Sequence, residues 1–432
     1  MTQINNISWM LATFMLVCCG IYFTFKLNFT QFNFKRMLKG LKKEKNNEKG
    51  ISPFKTLTLA LAARIGVGSL AGIALGIYKG GIGVIFWIWL SCLITLPNSL
   101  VESTLAVMYR ERDGKYFRGG PSFYMKKGLG LSKLAFLYSL IICLCYLGGF
   151  IAIQSNTIAS SMKEFLSVPP IISGVTVALI SYVIISHGIG RIANFTSLLV
   201  PIMGIIYMVT SLIIIIINIG SIPDILLSII KEAFNYKALG WGIISSIILG
   251  TQRGIFSSEA GIGTGAIASG TSDTKYPVKQ GYIQMLGVYF TTFIVCTGTA
   301  FIIITSNVDM ASFSDPNGIE ITLKALNSHL GSFGTIILII SLLAFAFSTI
   351  ISGYYYGESN LKYLCKRISS KNIVYLNIFI VFVLIYGAIA RPSNLWNIVD
   401  IGVALLAIIN TIAMILLRKE VCSELRKEKD VV

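Results

Sequence analysis

Apolar runs long enough to cross a bilayer recur along almost the whole chain, and nothing else in the sequence constrains the fold as strongly. A membrane helix needs about 20 predominantly apolar residues. Eleven candidate runs lie at about 7 to 25, 54 to 78, 83 to 109, 133 to 160, 171 to 187, 192 to 218, 238 to 269, 278 to 305, 332 to 356, 373 to 390 and 395 to 417, here spans 1 to 11. Of 432 residues 54% are apolar and only 13% charged, where a soluble chain carries about a quarter charged. This balance excludes a water-soluble enzyme and a disordered chain. Lipid offers the backbone no hydrogen bonds, so the spans are read as helices and the fold class as an all-α polytopic membrane protein. Span 1 has no Lys or Arg before Lys26 and lacks the basic region of a cleavable leader, so it is expected to stay in the membrane. The eight cysteines lie mostly within apolar runs and suggest neither zinc nor a disulfide framework.

The formal net charge is +17, but the basic residues sit between apolar runs and form no nucleic-acid-binding face. Of the 36 Lys and Arg residues, 27 fall on one side of the eleven-span topology and six on the other, with Lys55, Arg64 and Arg253 inside spans. The positive-inside rule then predicts an outside N-terminus, a cytoplasmic C-terminus and a multi-pass protein of the cell membrane, with lipid as its surroundings. No residue pattern speaks to oligomeric state.

Spans 2 and 7 are interrupted by glycine-rich polar sequence, ARIGVGSLAG from Ala63 and GTQRGIFSSEAGIGTG from Gly250. Four spans follow each of them. The chain therefore divides into a leading helix and basic loop (1–50), a first five-helix repeat (51–220), a second, inverted five-helix repeat (238–418) and a tail (419–432). Inverted repeats that each open with a broken helix are a secondary-transporter design. Packing glycines alone would explain either break singly, but not both at matching positions beside an arginine.

Unwinding a helix in hydrocarbon frees backbone groups that a ligand can satisfy. Half-helix N-termini suit a carboxylate, and freed carbonyls suit an ammonium group or Na⁺. The small residues around Gly66, Gly68 and Gly72 point to a small amino acid. Ionisable residues within spans are costly and are functional candidates by default. They are Arg64, Arg253, Glu259 and Asp400, read as gates or ion pairs, and Glu102, read as structural through its closeness to the basic loop at Arg110.

Several stretches resemble the alanine or glycine:cation symporters, whose fold is of the leucine-transporter type. They are GISPFKTLTLALAARIGVGSLAGIALGI with GGIGVIFWIWL, RGGPSFYMKKGLG from Arg118, IQSNTIA from Ile153, GTQRGIFSSEAGIG, LAFAFSTIISGYYYGE, and LWNIVD with Asn410. The resemblance covers about residues 50 to 410 and implies Na⁺-coupled uptake of alanine or glycine by alternating access. It places substrate at the first break (Gly66, Val67, Gly68, Ser69), at the second (Gly254, Ile255, Phe256, Ser257) and beside Gln154 and Asn156. It also implies a sodium site at Ala62, Ile65, Ser348 and Thr349, with sodium as the co-transported ion. Adjacent hydroxyls in an apolar run fit a hard, oxygen-seeking cation independently, while the alternative for the same pair is that both back-bond to the i−4 carbonyl of their own helix. The chain departs from the family pattern at Val67, Ser69, Ser258, Val403, Leu406 and Ile409. These departures leave room for glutamine or serine as substrate, or for H⁺ coupling through Glu259 or Asp400. A membrane-embedded enzyme would need a nucleophile and base or a metal set in one cavity. The chain has only His187 and His329, both near span ends or in loops. A non-transporting sensor rests on Val67 and Ser69 alone.

Overall fold

The computed structural model describes residues 2–41, 50–234, 242–306, 308–314, 316, 318–365, 370–390 and 392–429, and nearly all of them are helical. Among the basic residues counted above, Lys42, Lys43, Lys45, Lys49, Lys237, Lys366, Arg367 and Arg391 lie outside the described residues. Span 1 is Thr2–Lys26, span 3 Val84–Met108, span 5 Pro170–Ile185, span 6 Ile189–Ile217, span 9 Ser332–Leu364, span 10 Ser370–Ile389 and span 11 Pro392–Leu416. Span 4 runs continuously over Ser132–Leu166 and span 8 over Pro277–Ile304. Each of these two has a widened π-helical stretch, Cys143–Phe150 and Phe290–Cys296. Among the described residues eight helices are long and apolar enough to cross a membrane. The halves of span 2, bent by 54°, make a ninth, while span 5 has 16 residues.

Spans 4 and 9 outrun their apolar sequence. Span 9 was expected to end at Tyr356 but continues to Leu364, because the whole stretch Ser348–Asn360 is buried, including polar Glu358, Ser359 and Asn360. Packing, not hydropathy, sets that boundary. Span 3 lies between spans 1, 7 and 8, and span 10 lies against spans 4 and 5.

The basic segments gather at one end of the bundle. Ile51 bridges Ser272, and Arg110 donates to the carbonyls of Ser272 at 2.6 Å and Thr274 at 2.9 Å. Between spans 3 and 4 a hairpin, Glu111–Asp113 with Tyr116–Arg118, leads into a short helix, Pro121–Lys127. That helix buries Pro121 to Met125. Just before it, Gly119 meets Gly270 so closely that a Cβ on Gly270 would lie 2.3 Å from the Gly119 Cα. Arg118 pairs with Asp113 and with Glu358 at 3.5 Å, and Glu358 also pairs with Lys362 at 2.7 Å. A tail helix, Arg418–Lys429, closes this end with Val421 and Leu425 buried.

Gly387 of span 10 lies directly on span 4, where a Cβ would come 2.6 Å from the Ala152 carbonyl oxygen and 2.7 Å from its Cα. Backbone cannot yield as a flexible side chain can. Gly387→Val is expected to cost about 1–3 kcal/mol, read as a lower thermal midpoint of the detergent-solubilised protein; an unchanged midpoint would contradict this contact.

Candidate functional site

Span 2 begins with Ser52 accepting from the Lys55 amide at 3.4 Å and Pro53 at its first position, a helix start that needs no external partner. The helix Pro53–Arg64 stops at Ile65, whose φ of −90° and ψ of 71° leave the helical region. A widened turn, Gly68–Gly72, and the helix Ile73–Gly80 follow. The carbonyls freed at the break do not face lipid. Thr349 Oγ1 donates toward the Ala62 carbonyl at 2.8 Å and Ser348 Oγ toward it at 3.4 Å. Ser69 Oγ donates to the Arg64 carbonyl at 3.1 Å. On the donor side, the Val67 amide points to Gln154 Oε1 at 3.5 Å.

Ser348 and Thr349 each also lie 2.9 Å from the Phe345 carbonyl. Phe345 lies one turn back in the same unbroken helix, so these are the back-bonds that helical hydroxyls ordinarily make, and only the Ala62 carbonyl belongs to the break. That carbonyl with the two hydroxyl oxygens suits a small hard cation. Ile65 is fully buried beside it.

The second break lies later than its sequence suggested. Span 7 stays helical over Gly242–Ser258, so Gly254, Ile255, Phe256 and Ser257 are in the first half-helix and not in the break. The chain turns at Glu259, Gly261 and Gly263, with φ of 53°, 90° and 101°, and the half-helix Thr264–Ser269 resumes. Gly254 packs on span 3, where a Cβ would lie 2.7 Å from Ser91 Oγ, and Ile255 is fully buried. Phe256 and Ser257 do face the first break. Ser257 Oγ is 3.1 Å from Ser69 Oγ, and a Cβ on Gly68 would lie 3.2 Å from the Phe256 ring. Phe256 also joins an aromatic row with Phe150 at 6.0 Å and Trp396 at 5.7 Å.

Asn156 requires a correction. Its amide donates to the carbonyls of Gly387 and Ala390, both at 2.8 Å, which commits it to the end of span 10 and not to the break. Of the two polar residues expected on span 4, only Gln154 reaches the first break.

Side chains supply donors to the carbonyls of the second break. Tyr138 donates to the Ile262 carbonyl at 2.9 Å, and Asn410 donates to the Gly261 carbonyl and to Glu102 Oε2, each at 2.9 Å. Glu102 faces the Gly261 and Gly263 amides. Glu259 accepts from Tyr146 at 3.0 Å and from Thr264 at 2.9 Å. Tyr124, from the buried helix of the basic loop, donates to Asn410. Arg64 donates to the Gln284 carbonyl at 3.3 Å, presses on Gly265 and lies in the field of Glu102 and Glu259. Glu102, assigned above to the basic loop, thus sits at the centre of this network. The signal was available in its charge within a span. Arg253 instead interacts electrostatically with Asp400, which accepts from Asn5 at 3.5 Å. Val403, Leu406 and Ile409 are buried in the core of span 11.

Two substitutions test this geometry. Gly68→Val drives a branched side chain into Phe256, so substrate binding is expected to vanish while the folded protein is still recovered; normal binding by isothermal calorimetry would remove the break from the site. Asn410→Ala leaves Glu102 and the Gly261 carbonyl short of a donor, an expected cost of about 1–3 kcal/mol, measured by thermal unfolding.

Residues 1–430 match the model of the sodium:alanine symporter family. The amino-acid carrier protein AlsT of Bacillus subtilis is 36% identical over 96% of this chain and 88% of its own length. The probable sodium/glutamine symporter GlnT of the same organism is 36% identical over 98% of this chain and 88% of its own. Among solved structures, MhsT in complex with L-phenylalanine superposes with a TM-score of 0.62 at 13% identity, covering 86% of this chain and 90% of that one. That likeness shows the fold, the leucine-transporter type. The chain is a multi-pass membrane transporter, not an enzyme, and belongs to the sodium:alanine symporter family.

Proposed function

We propose that the chain imports a small neutral amino acid, alanine or glycine, across the cell membrane by coupling it to inward Na⁺ movement. The Ala62 carbonyl with the Ser348 and Thr349 hydroxyls carries this reading, because these oxygens offer a cation hard ligands where the backbone ladder of span 2 is interrupted. Val67, Gly68 and Ser69, with Gln154, Phe256 and Ser257 opposite, form the substrate side. The aromatic row and the close approach of Phe256 to Gly68 favour a side chain no larger than a methyl or hydrogen.

The two five-helix halves are read as inverted repeats, with the half-helix that precedes the second break facing the first break across the site. With the basic end in the cytoplasm, Arg64 with Glu102 and Glu259 forms the inner charged group, and Arg253 with Asp400 the outer one. Alternating access then exchanges which group is closed. The burial of Pro121 to Met125 supports a closed inner side in this conformation. Each Na⁺ entering down a potential of 100 mV contributes about 2.3 kcal/mol.

A second reading, glutamine as cargo, is favoured by one observation. The relative named as a probable sodium/glutamine symporter is as similar to this chain as the amino-acid carrier is.

Uptake of labelled alanine into proteoliposomes tests both readings, with glycine, serine and glutamine as competitors and K⁺ replacing Na⁺ in a parallel arm. Na⁺-dependent alanine uptake is expected, blocked by glycine. Stronger competition by glutamine would favour the second reading, and accumulation that ignores Na⁺ but follows a pH gradient would replace Na⁺ by H⁺. Replacing Ser348 and Thr349 together by Ala is expected to abolish Na⁺ stimulation; an unaltered Na⁺ dependence would sink the cation assignment.

A further inference from the structure

At the basic end, a cavity of about 630 Å³ opens between the end of span 1 and the tail helix Arg418–Lys429. Tyr22, Lys26, Arg418, Lys419, Arg426 and Lys427 line it. Lys427 is paired with Glu424 at 3.0 Å, and Arg418 donates to the Ile415 carbonyl at 2.9 Å. The side chains of Lys26, Lys419 and Arg426 have neither a hydrogen bond nor an ion pair among the described residues. No carboxylate is among the described residues lining the cavity. Like charges brought together in this way repel, and an anion between them would relieve the repulsion.

The tail helix is not free to carry its charges away, because Val421 and Leu425 are buried beneath it. One wall of the cavity is different in kind. Tyr22 lies one helical turn before Lys26, on a stripe of span 1 that exposes Phe14, Ile21 and Phe25, and Leu416 is exposed at the end of span 11. The cavity therefore lies where the apolar outer surface meets the basic end. A free phosphate would use the cations alone. A lipid would use both the cations and the apolar stripe.

We propose that this cavity binds the headgroup phosphate of an anionic phospholipid from the leaflet at the basic end. Its chains would lie along the exposed face of spans 1 and 11, and its negative charge would be shared by Lys26, Lys419 and Arg426. Basic pockets at the cytoplasmic ends of membrane helices recognise anionic headgroups through this combination of charge and position. The lipid would pin the tail helix to span 1, two elements otherwise far apart in the chain.

The test is native mass spectrometry of the full chain in detergent, titrated with phosphatidylglycerol or with phosphatidylcholine of the same acyl chains. Wild type is expected to retain phosphatidylglycerol about tenfold or more tightly than phosphatidylcholine. The K26Q/K419Q/R426Q variant should lose that preference, K26R/K419R/R426K should keep it, and the control K115Q/K133Q/K231Q should leave it unchanged. If the glutamine triple variant is not recovered folded, K419Q and R426Q singly should each weaken retention about fivefold. Equal retention of the two lipids, or a charge-depleted variant that binds as wild type does, overturns the proposal. Displacement of the lipid by inorganic phosphate at equal concentration overturns it in favour of a free-anion site. None of these readouts depends on transport, so they stand apart from the uptake experiment.

Discussion

The structure depends on the price of an unpaired backbone group in hydrocarbon. Two of its helices stop inside the bundle, and each stop frees carbonyls and amides that water cannot reach. The two breaks meet this demand differently. Around Glu259 to Gly263 the partners are Glu102, Tyr138 and Asn410, fixed on three separate spans. At Ile65 to Gly68 the partners are mainly hydroxyls, those of Ser69, Ser348 and Thr349, with a long contact from Gln154. One break is held by the protein itself. The other is held by groups that can change partner.

This difference organises the buried charge. Arg64, Glu102 and Glu259 gather around the rigid break, against Gly265, and are tied through Asn410 and Tyr124 to the loop that closes the basic end. A Cβ at position 265 would fall 2.3 Å from the Arg64 guanidinium, so a larger residue there would displace that guanidinium. Arg253 and Asp400 stand apart from this group, Asp400 held by the first span through Asn5. A charge left alone in such a place would be far more costly than one that shares its field with an opposite neighbour.

Much of this could be read from the residues, and the failures have physical causes. Hydropathy located the spans, and glycines in an apolar run marked both interruptions. It misplaced the second because GTQRGIFSS keeps helical geometry and the turn begins at Glu259, a non-glycine residue with positive φ. Gln154 and Asn156 could not both face one point, since two residues along a helix are about 200° apart. Ser348 and Thr349 are about 100° apart, and both do reach Ala62. Closeness along the chain ties Glu102 to Arg110, whereas its partner Asn410 lies 308 positions away. The helical extension of span 9 leaves no hydropathic trace, because burial of Glu358 and Asn360 is a tertiary fact.

The hydroxyls at the first break have a further consequence. A hydroxyl can donate to a carbonyl or, after turning about one bond, offer its lone pair to a cation. Thr349 and Ser348 are placed to do either without moving a helix. In this structure the two hydroxyls stand where the ladder lacks donors to the Ala62 carbonyl. A turn about one bond, rather than a shift of a helix, is therefore enough to change what the Ala62 carbonyl meets.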